Sequence, residues 1–357
     1  MIKLLLWKAA TLAALLTTST ALQAQWFPLE VDVWQPPYNS EHQRSTITYQ
    51  ALPAAGSNWR ICVLIPHLKD PYWLAVNYGL ISEARRLGVA ISLFEAGGYD
   101  HLDVQRQQVA DCLDQDYDGL IVSAITPTGL NDLLAAAAEK AVPVVDLING
   151  LAPEHITARV AADYWDNAYL TGRYLVEQHN GNAPTGRVAW FPGPEGAGWV
   201  AAGDAGFRSA IEDANLQIVA TRKGDTGRAT QRLLIEEVLA QTPDLDYLVG
   251  TTVTAEAAIE VLRSRGLADQ IKVLSYYYSP GVHRGIRRGS IMAAPSDQQV
   301  LQARIAVDVM VRILEGHAYQ RHVAPQAILV DRIRLSDWDE STSLPPRGFR
   351  PIFSLGH

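Results

Sequence analysis

The chain has little sulfur and little phenylalanine. Among 357 residues there are two Cys, three Met and six Phe. Two cysteines and nine scattered His give no spacing suited to a metal site, so no metal is expected. Positive charge is also short. Thirty Lys and Arg face 38 Asp and Glu, a formal net charge of −8, which argues against nucleic acid as a partner. Beyond the first 24 residues no apolar run approaches the ~20 residues of a membrane span. The segment Gly193-Pro194-Glu195-Gly196-Ala197-Gly198 invites comparison with phosphate loops. It lacks the Lys-Ser/Thr ending and the dinucleotide spacing, so it reads as a turn between strand and helix. No nucleophile, base and orienting residue can be assembled, so neither catalysis nor a cofactor is expected.

What is present is a core and a supply of amphipathic aromatics. The chain is 48% hydrophobic and only 19% charged, which suits a packed fold of about two domains. Tyr (14) and Trp (9) dominate the rings, and both join an apolar face to a polar handle.

Residues 1–24 read as a secretory signal: Lys3 near the start, an apolar run at Ala9–Leu16, then small residues around Ala21 and Ala24. The run is too short, and too mixed with Lys8 and Thr, for an anchor. Export to the periplasm with no membrane insertion after cleavage is expected, and cleavage removes two further positive charges, Lys3 and Lys8. In an exported chain, Cys62 and Cys112 suggest one disulfide, the alternative being two buried thiols.

Residues 25–58 look irregular and Pro-rich, with one possible strand at Thr46–Tyr49. From Arg60 onward short apolar runs alternate with segments of helical spacing. Strands are expected at 60–65, 89–94, 119–122 and 142–146, with helices at 72–87, 103–113 and 129–140. The alternation restarts after residue 160. Strands are expected at 187–191, 217–220, 247–250 and 271–276, with helices at 169–179, 203–214, 231–240 and 255–265. A further helix at 302–314 and a late strand at 327–330, returning to the second sheet, complete the pattern. Two successive βα sheets predict an α/β protein of two Rossmann-like lobes, each a parallel sheet with helices on both faces. Ligands of such sheets bind beyond the carboxyl ends of the strands, here a shared cleft.

The turn Lys69-Asp70-Pro71-Tyr72-Trp73, the helix end Glu83-Ala84-Arg85-Arg86-Leu87-Gly88-Val89, the strand Asp118–Val122 and Gln298 at a lobe crossing resemble the type 1 periplasmic binding proteins of the ribose-binding class. The resemblance implies two lobes joined by a multi-strand hinge. The expected division is 59–158 plus 297–325 and 159–296 plus 326–335, with an extension at 25–58 and a tail at 336–357. More segments are similar to the branch of this family that senses trimethylamine N-oxide. They are Leu68–Trp73, Glu95–Tyr99, Pro192–Glu195, Ala255–Ala258, Ile291–Ala294, Asp297-Gln298 and the tail Gly348–Pro351; the cysteines match as well. That resemblance implies a sensory binding protein whose partner is the periplasmic domain of a sensor histidine kinase.

The residues themselves point the same way. Where sugar binders place acidic ligators, this chain has Thr251-Thr252-Val253-Thr254 and Tyr276-Tyr277-Tyr278. A polyol would leave buried hydroxyls unpaired there, at about 1–3 kcal/mol each. Aromatic faces suit a methylated cationic nitrogen. Asp70 caps the first helix and Pro71 suits its first position. The candidate ligand residues are Tyr72, Trp73, Tyr164, Tyr277, Asp297 and Gln298. Trp165 could replace Tyr164, and one tyrosine of 276–278 could be core. Trp199, where the family pattern has Gly, would either narrow the cleft or sit at the surface. The expected ligand is trimethylamine N-oxide or a similar small methylated molecule. The alternative is a substrate-binding protein of a sugar or small-solute transporter.

Overall fold

The computed structural model describes residues 25–356 except Ser40, Asn180 and Asn182; the expected signal segment lies outside the described residues. The elements run in chain order as β1 (Leu29–Trp34), β2 (Arg44–Tyr49), β3 (Arg60–Ile65), α1 (Pro71–Leu87), β4 (Ala90–Glu95), α2 (Leu102–Asp114), β5 (Gly119–Val122), α3 (Asn131–Glu139), β6 (Val144–Leu147) and β7 (Ala158–Val160). The second half continues with α4 (Tyr164–Gln178), β8 (Gly186–Gly193), α5 (Gly198–Ile211), β9 (Leu216–Lys223), α6 (Arg228–Gln241), β10 (Tyr247–Gly250), α7 (Thr252–Ser264), β11 (Lys272–Ser275) and α8 (Pro280–Arg288). The chain then returns through β12 (Ala293–Ser296), α9 (Gln299–Leu314), β13 (His322–Pro325), β14 (Ile328–Asp331) and a terminal β15 (Ser354–Leu355).

The first lobe is built on a nine-stranded sheet ordered β15-β4-β3-β5-β6-β7-β13-β1-β2, and the second on a four-stranded parallel sheet ordered β11-β10-β8-β9. The apolar runs at 60–65 and 119–122 form adjacent, fully sandwiched strands, which is why they carry no polar alternation. Cys62 on β3 is bonded to Cys112 on α2. Helices α1 and α9 cover one face so closely that a Cβ on Gly79 would lie 2.5 Å from the Val300 carbonyl oxygen. In the second lobe Gly206 lets α5 approach α4, where a Cβ would lie 2.1 Å from the Trp165 carbonyl oxygen.

Three expectations change. Residues 25–58 are not irregular: β1 and β2 form an antiparallel hairpin, and β1 pairs with β13, so this stretch extends the first sheet. Its alternation escapes notice because Asp32 and Thr46 sit among the apolar positions and bond each other, the Thr46 hydroxyl donating to Asp32 at 3.0 Å. The late strand pairs with β12 in a separate two-stranded ribbon rather than returning to the four-stranded sheet. Helices α4 to α7 and α9 start three to five residues before their expected starts; two of these starts are fixed by polar caps, where Asp163 accepts from the Trp165 N–H and Thr251 from the Thr254 N–H. Among the described residues no helix is long and apolar enough to cross a membrane.

Candidate functional site

The carboxyl end of β3 leads directly into the cap of α1. The Asp70 carboxylate accepts the Tyr72 N–H at 2.9 Å, and Pro71 occupies the first helical position. The cap also reaches across to the second lobe. Asp70 accepts the Thr252 hydroxyl at 3.0 Å and the Tyr277 hydroxyl at 2.7 Å. Burial pushes the Asp70 carboxyl up to about 6, against the pull of the Tyr72 N–H and the Tyr277 and Thr252 hydroxyls. The neighbouring turn carries two more cross-lobe contacts. Lys69 pairs with Asp225 at 2.8 Å, and the Thr226 hydroxyl meets His67 Nε2 at 2.9 Å. Burial holds His67 down to about 4, so it is neutral at physiological pH.

Around Asp70 the rings converge. Tyr72 packs edge-on against Tyr277 at 5.4 Å, and Tyr277 against Tyr276 at 5.2 Å. Tyr164 lies 5.4 Å from Trp199 and 6.2 Å from Tyr277. Trp199 lies 5.9 Å from Tyr277, and its indole N–H donates to the Tyr99 hydroxyl at 3.0 Å. Asn149 donates to the same hydroxyl at 3.1 Å. All six side chains are buried or nearly so. Burial comes first among the causes that push the Tyr72, Tyr99, Tyr164, Tyr276 and Tyr277 phenols above their ordinary value, so all stay protonated. A cavity of about 250 Å³ opens beside Tyr164 and Trp199, bounded by Asn149, Arg159, Trp34 and His322.

The structure brings Tyr72, Tyr164, Tyr277 and Asp297 together. Asp297 accepts the Tyr72 hydroxyl at 2.6 Å and the Gln302 amide at 2.8 Å. Its Oδ1 is buried without a partner among the described residues, and burial raises its pKa. Trp73 is buried, but among the described rings its close partner is Tyr72, at 5.5 Å, which places it behind the front row. Gln298 faces the crossing. Its amide donates to the Gln326 carbonyl at 2.8 Å, and its backbone adopts φ 54 at the start of α9. Of the alternatives left open, Tyr164 points inward while Trp165 stacks on Tyr169 at 4.6 Å. Tyr276 and Tyr277 join the cluster. Tyr278 turns into the second-lobe core against Trp338 at 4.7 Å.

Two contributors were not singled out from sequence. Tyr99 and Asn149 follow β4 and β6 at the carboxyl edge of the first sheet, a position that itself marks cleft residues. The Asp70 side chain reads as a cap, and it is one; its second role, accepting from the Thr252 and Tyr277 hydroxyls, is visible only when the lobes meet. Trp199 narrows the cleft. The other threonines that replace acidic ligators are both engaged within the second lobe. Thr251 caps α7 and the Thr254 hydroxyl donates to Gln231 at 2.7 Å.

Residues 61–318 match the family described as periplasmic binding protein domain. The periplasmic protein TorT of Escherichia coli O157:H7 is 35% identical over 318 residues, covering 88% of this chain and 91% of that one. Among solved structures, an ABC transporter solute binding protein from Bradyrhizobium sp. BTAi1, with bound bis-tris, is 42% identical at a TM-score of 0.80. The match covers 92% of this chain and 99% of that one. TorT in complex with the TorS sensor domain, in the presence of TMAO (trimethylamine N-oxide), is 32% identical at a TM-score of 0.75, covering 83% and 99%. This is a periplasmic chain that belongs to the periplasmic binding protein family and, within it, to the TorT group.

Proposed function

We propose that this protein is a periplasmic sensor that binds trimethylamine N-oxide, or a similarly small methylated amine, between its lobes. It then presents the resulting lobe geometry to the periplasmic domain of a TorS-like sensor histidine kinase that controls trimethylamine N-oxide respiration. The observation that carries the reading is the ring cluster drawn from both lobes and backed by two buried carboxylates, Asp70 and Asp297. Trimethylamine N-oxide has a positive, methylated face. Against tyrosine and tryptophan faces each such contact contributes about 0.5–2 kcal/mol. Its oxide needs one or two donors, and protonated phenols or the Trp199 indole N–H are suited to supply them. In this reading Tyr72, Trp73, Tyr164, Tyr277 and Asp297 serve the ligand while Gln298 fixes the crossing. The lobes divide as 59–158 with 297–325 and 159–296 with 326–335. A ligand that favours the closed form shifts the lobe equilibrium toward it. The complex of the related TorT with the TorS sensor domain supports the partner.

A polyol fits poorly, because the carboxylates that would pair its hydroxyls already accept from Tyr72, Tyr277 and Thr252. A second reading, delivery of a small solute to a transporter, is favoured by the likeness to the Bradyrhizobium solute binding protein. Bis-tris is a tertiary amine that also carries five hydroxyls, so it shares the amine but not the methylated face. Calorimetry with trimethylamine N-oxide, bis-tris and ribose tests the ligand. Heat with the N-oxide and none with ribose is expected; the reverse overturns the sensor reading.

A further inference from the structure

Away from the ring cluster, a crevice of about 570 Å³ lies where α1 of the first lobe, α8 of the second lobe and the C-terminal tail meet. The tail is tied to both lobes. Trp338 packs edge-on against Tyr278 in the second-lobe core, and the Ser343 and Ser296 hydroxyls bond at 2.5 Å beside the crossing. Further on, the Asn77 carboxamide holds Ile352 by both its N–H and its carbonyl, and β15 pairs with β4 on the first sheet. One wall of the crevice therefore belongs to each lobe, and the tail bridges them.

The floor is apolar and aromatic. Leu74, Tyr78 and Phe349 form it, the last two edge-on at 5.2 Å. The rim is cationic. Arg284, Arg287 and Arg347 line it, exposed, and none has a hydrogen bond or contact-distance ion pair with another described residue. Burial, and after it the field of these guanidiniums, hold His283 below its ordinary value, while Glu340 opposes them. Glu340, 3.3 Å from His283 Nε2, is the one carboxylate among the described lining residues. Three unpaired guanidiniums against one carboxylate stand out on a chain with a net charge of −8. Other exposed arginines, such as Arg85, Arg173, Arg263 and Arg265, also lack an ion pair among the described residues, but they do not line this crevice; these three do, around one apolar floor.

Arg and Tyr are the residues that interfaces concentrate at their energetic centres, and a guanidinium binds a carboxylate through two parallel hydrogen bonds. We propose that this crevice is the docking site for an acidic segment of the partner protein, its carboxylates meeting Arg284, Arg287 and Arg347 and an apolar side chain resting on Leu74, Tyr78 and Phe349. The inference rests on the sensor reading above and extends it. Because the opposite walls ride on different lobes, the crevice changes shape as the lobes open and close, and a segment seated in it reads that change. A small free anion would use the guanidiniums but would not need the apolar floor.

The test uses the full mature protein and the purified periplasmic domain of the TorS-like kinase from the same organism. The triple variant R284E/R287E/R347E is compared with wild type and with R284K/R287K/R347K. The expected result is at least about tenfold weaker binding of the kinase domain by the Glu variant, with most binding kept by the Lys variant. Salt should weaken wild-type binding more steeply than that of the Glu variant. Heat of trimethylamine N-oxide binding should be equal in all three, which also reports that they are folded. Equal kinase binding by wild type and Glu variant overturns the docking site alone. A wild-type protein that binds no kinase domain overturns the sensor reading and this inference with it. Citrate that binds wild type but not the Glu variant, with kinase binding equal in both, makes the crevice a small-anion site and overturns the proposal.

Discussion

The two lobes reach the cleft by different means. The first is a nine-stranded sheet into which both ends of the described chain are woven, β1 and β2 at one edge and β15 at the other, with a disulfide from β3 to α2. The second has four strands and no cysteine, so no disulfide ties it. Their contributions to the site differ in the same sense. The first lobe brings both carboxylates, Asp70 on a capped helix start and Asp297, together with the Tyr72 and Tyr99 rings. The second brings rings and donors: Tyr164, Trp199, Tyr276, Tyr277 and the Thr252 hydroxyl. Two side-chain donors to the buried Asp70 carboxylate lie on the opposite lobe, so its full satisfaction and its protonation depend on the lobes meeting.

Breaking the first lobe's covalent tie should give the largest effect. Replacing Cys62 and Cys112 by Ala removes a cross-link spanning 50 residues, which in the chain-entropy account is worth about 4 kcal/mol. A clear fall in thermal midpoint is expected by calorimetry, with trimethylamine N-oxide affinity kept below that midpoint. An unchanged midpoint would mean that the second lobe alone limits stability. Next, Tyr277→Ala removes a second-lobe ring and a donor to Asp70 together. Affinity for the N-oxide should fall roughly 100-fold, about 3 kcal/mol.

Protonation sharpens the comparison further. The Asp70 carboxyl, ordinarily at 3.8, sits near 6 in the closed lobes. A raised carboxyl favours the closed form fully below 3.8 and loses that advantage as pH rises through 6. If closure accompanies binding, affinity should rise roughly tenfold between pH 7 and pH 5, and Asp70→Asn should flatten the slope. A wild-type profile flat over that window would detach Asp70 from closure. Trp73→Ala, behind Tyr72, should weaken affinity about fivefold, measured at a temperature where the variant is folded. Gln298→Ala should change it less than about twofold, because its amide serves the Gln326 carbonyl.

Much of this was legible in the chain. The strand runs from Arg60 onward, the Asp70-Pro71 helix start and the inward Tyr72 follow from local chemistry. Of the hairpin at 29–49 only the strand at 46–49 was legible, because the alternation of its partner is broken by polar residues that pair with each other across the hairpin. The helix starts lie earlier than expected because the aromatic and β-branched residues of the first turns, Tyr164-Trp165, Trp199-Val200 and Thr252-Val253, carry no helical signal of their own and only the caps mark them. Tyr276, Tyr277 and Tyr278 could not be told apart by alternation, because β11 ends at Ser275 and the three lie in the turn beyond it.

The sequence by itself determined an exported, acidic α/β chain of two parallel-sheet lobes with an aromatic turn at its first helix, since strand period, caps and composition act locally. Tertiary structure alone decided which rings meet, that Asp70 is shared between the lobes, that Tyr278 is core, and that three arginines from α8 and the tail gather at one crevice. Those outcomes depend on burial and on distances between segments up to 225 residues apart, as between Tyr72 and Asp297, which no local pattern carries.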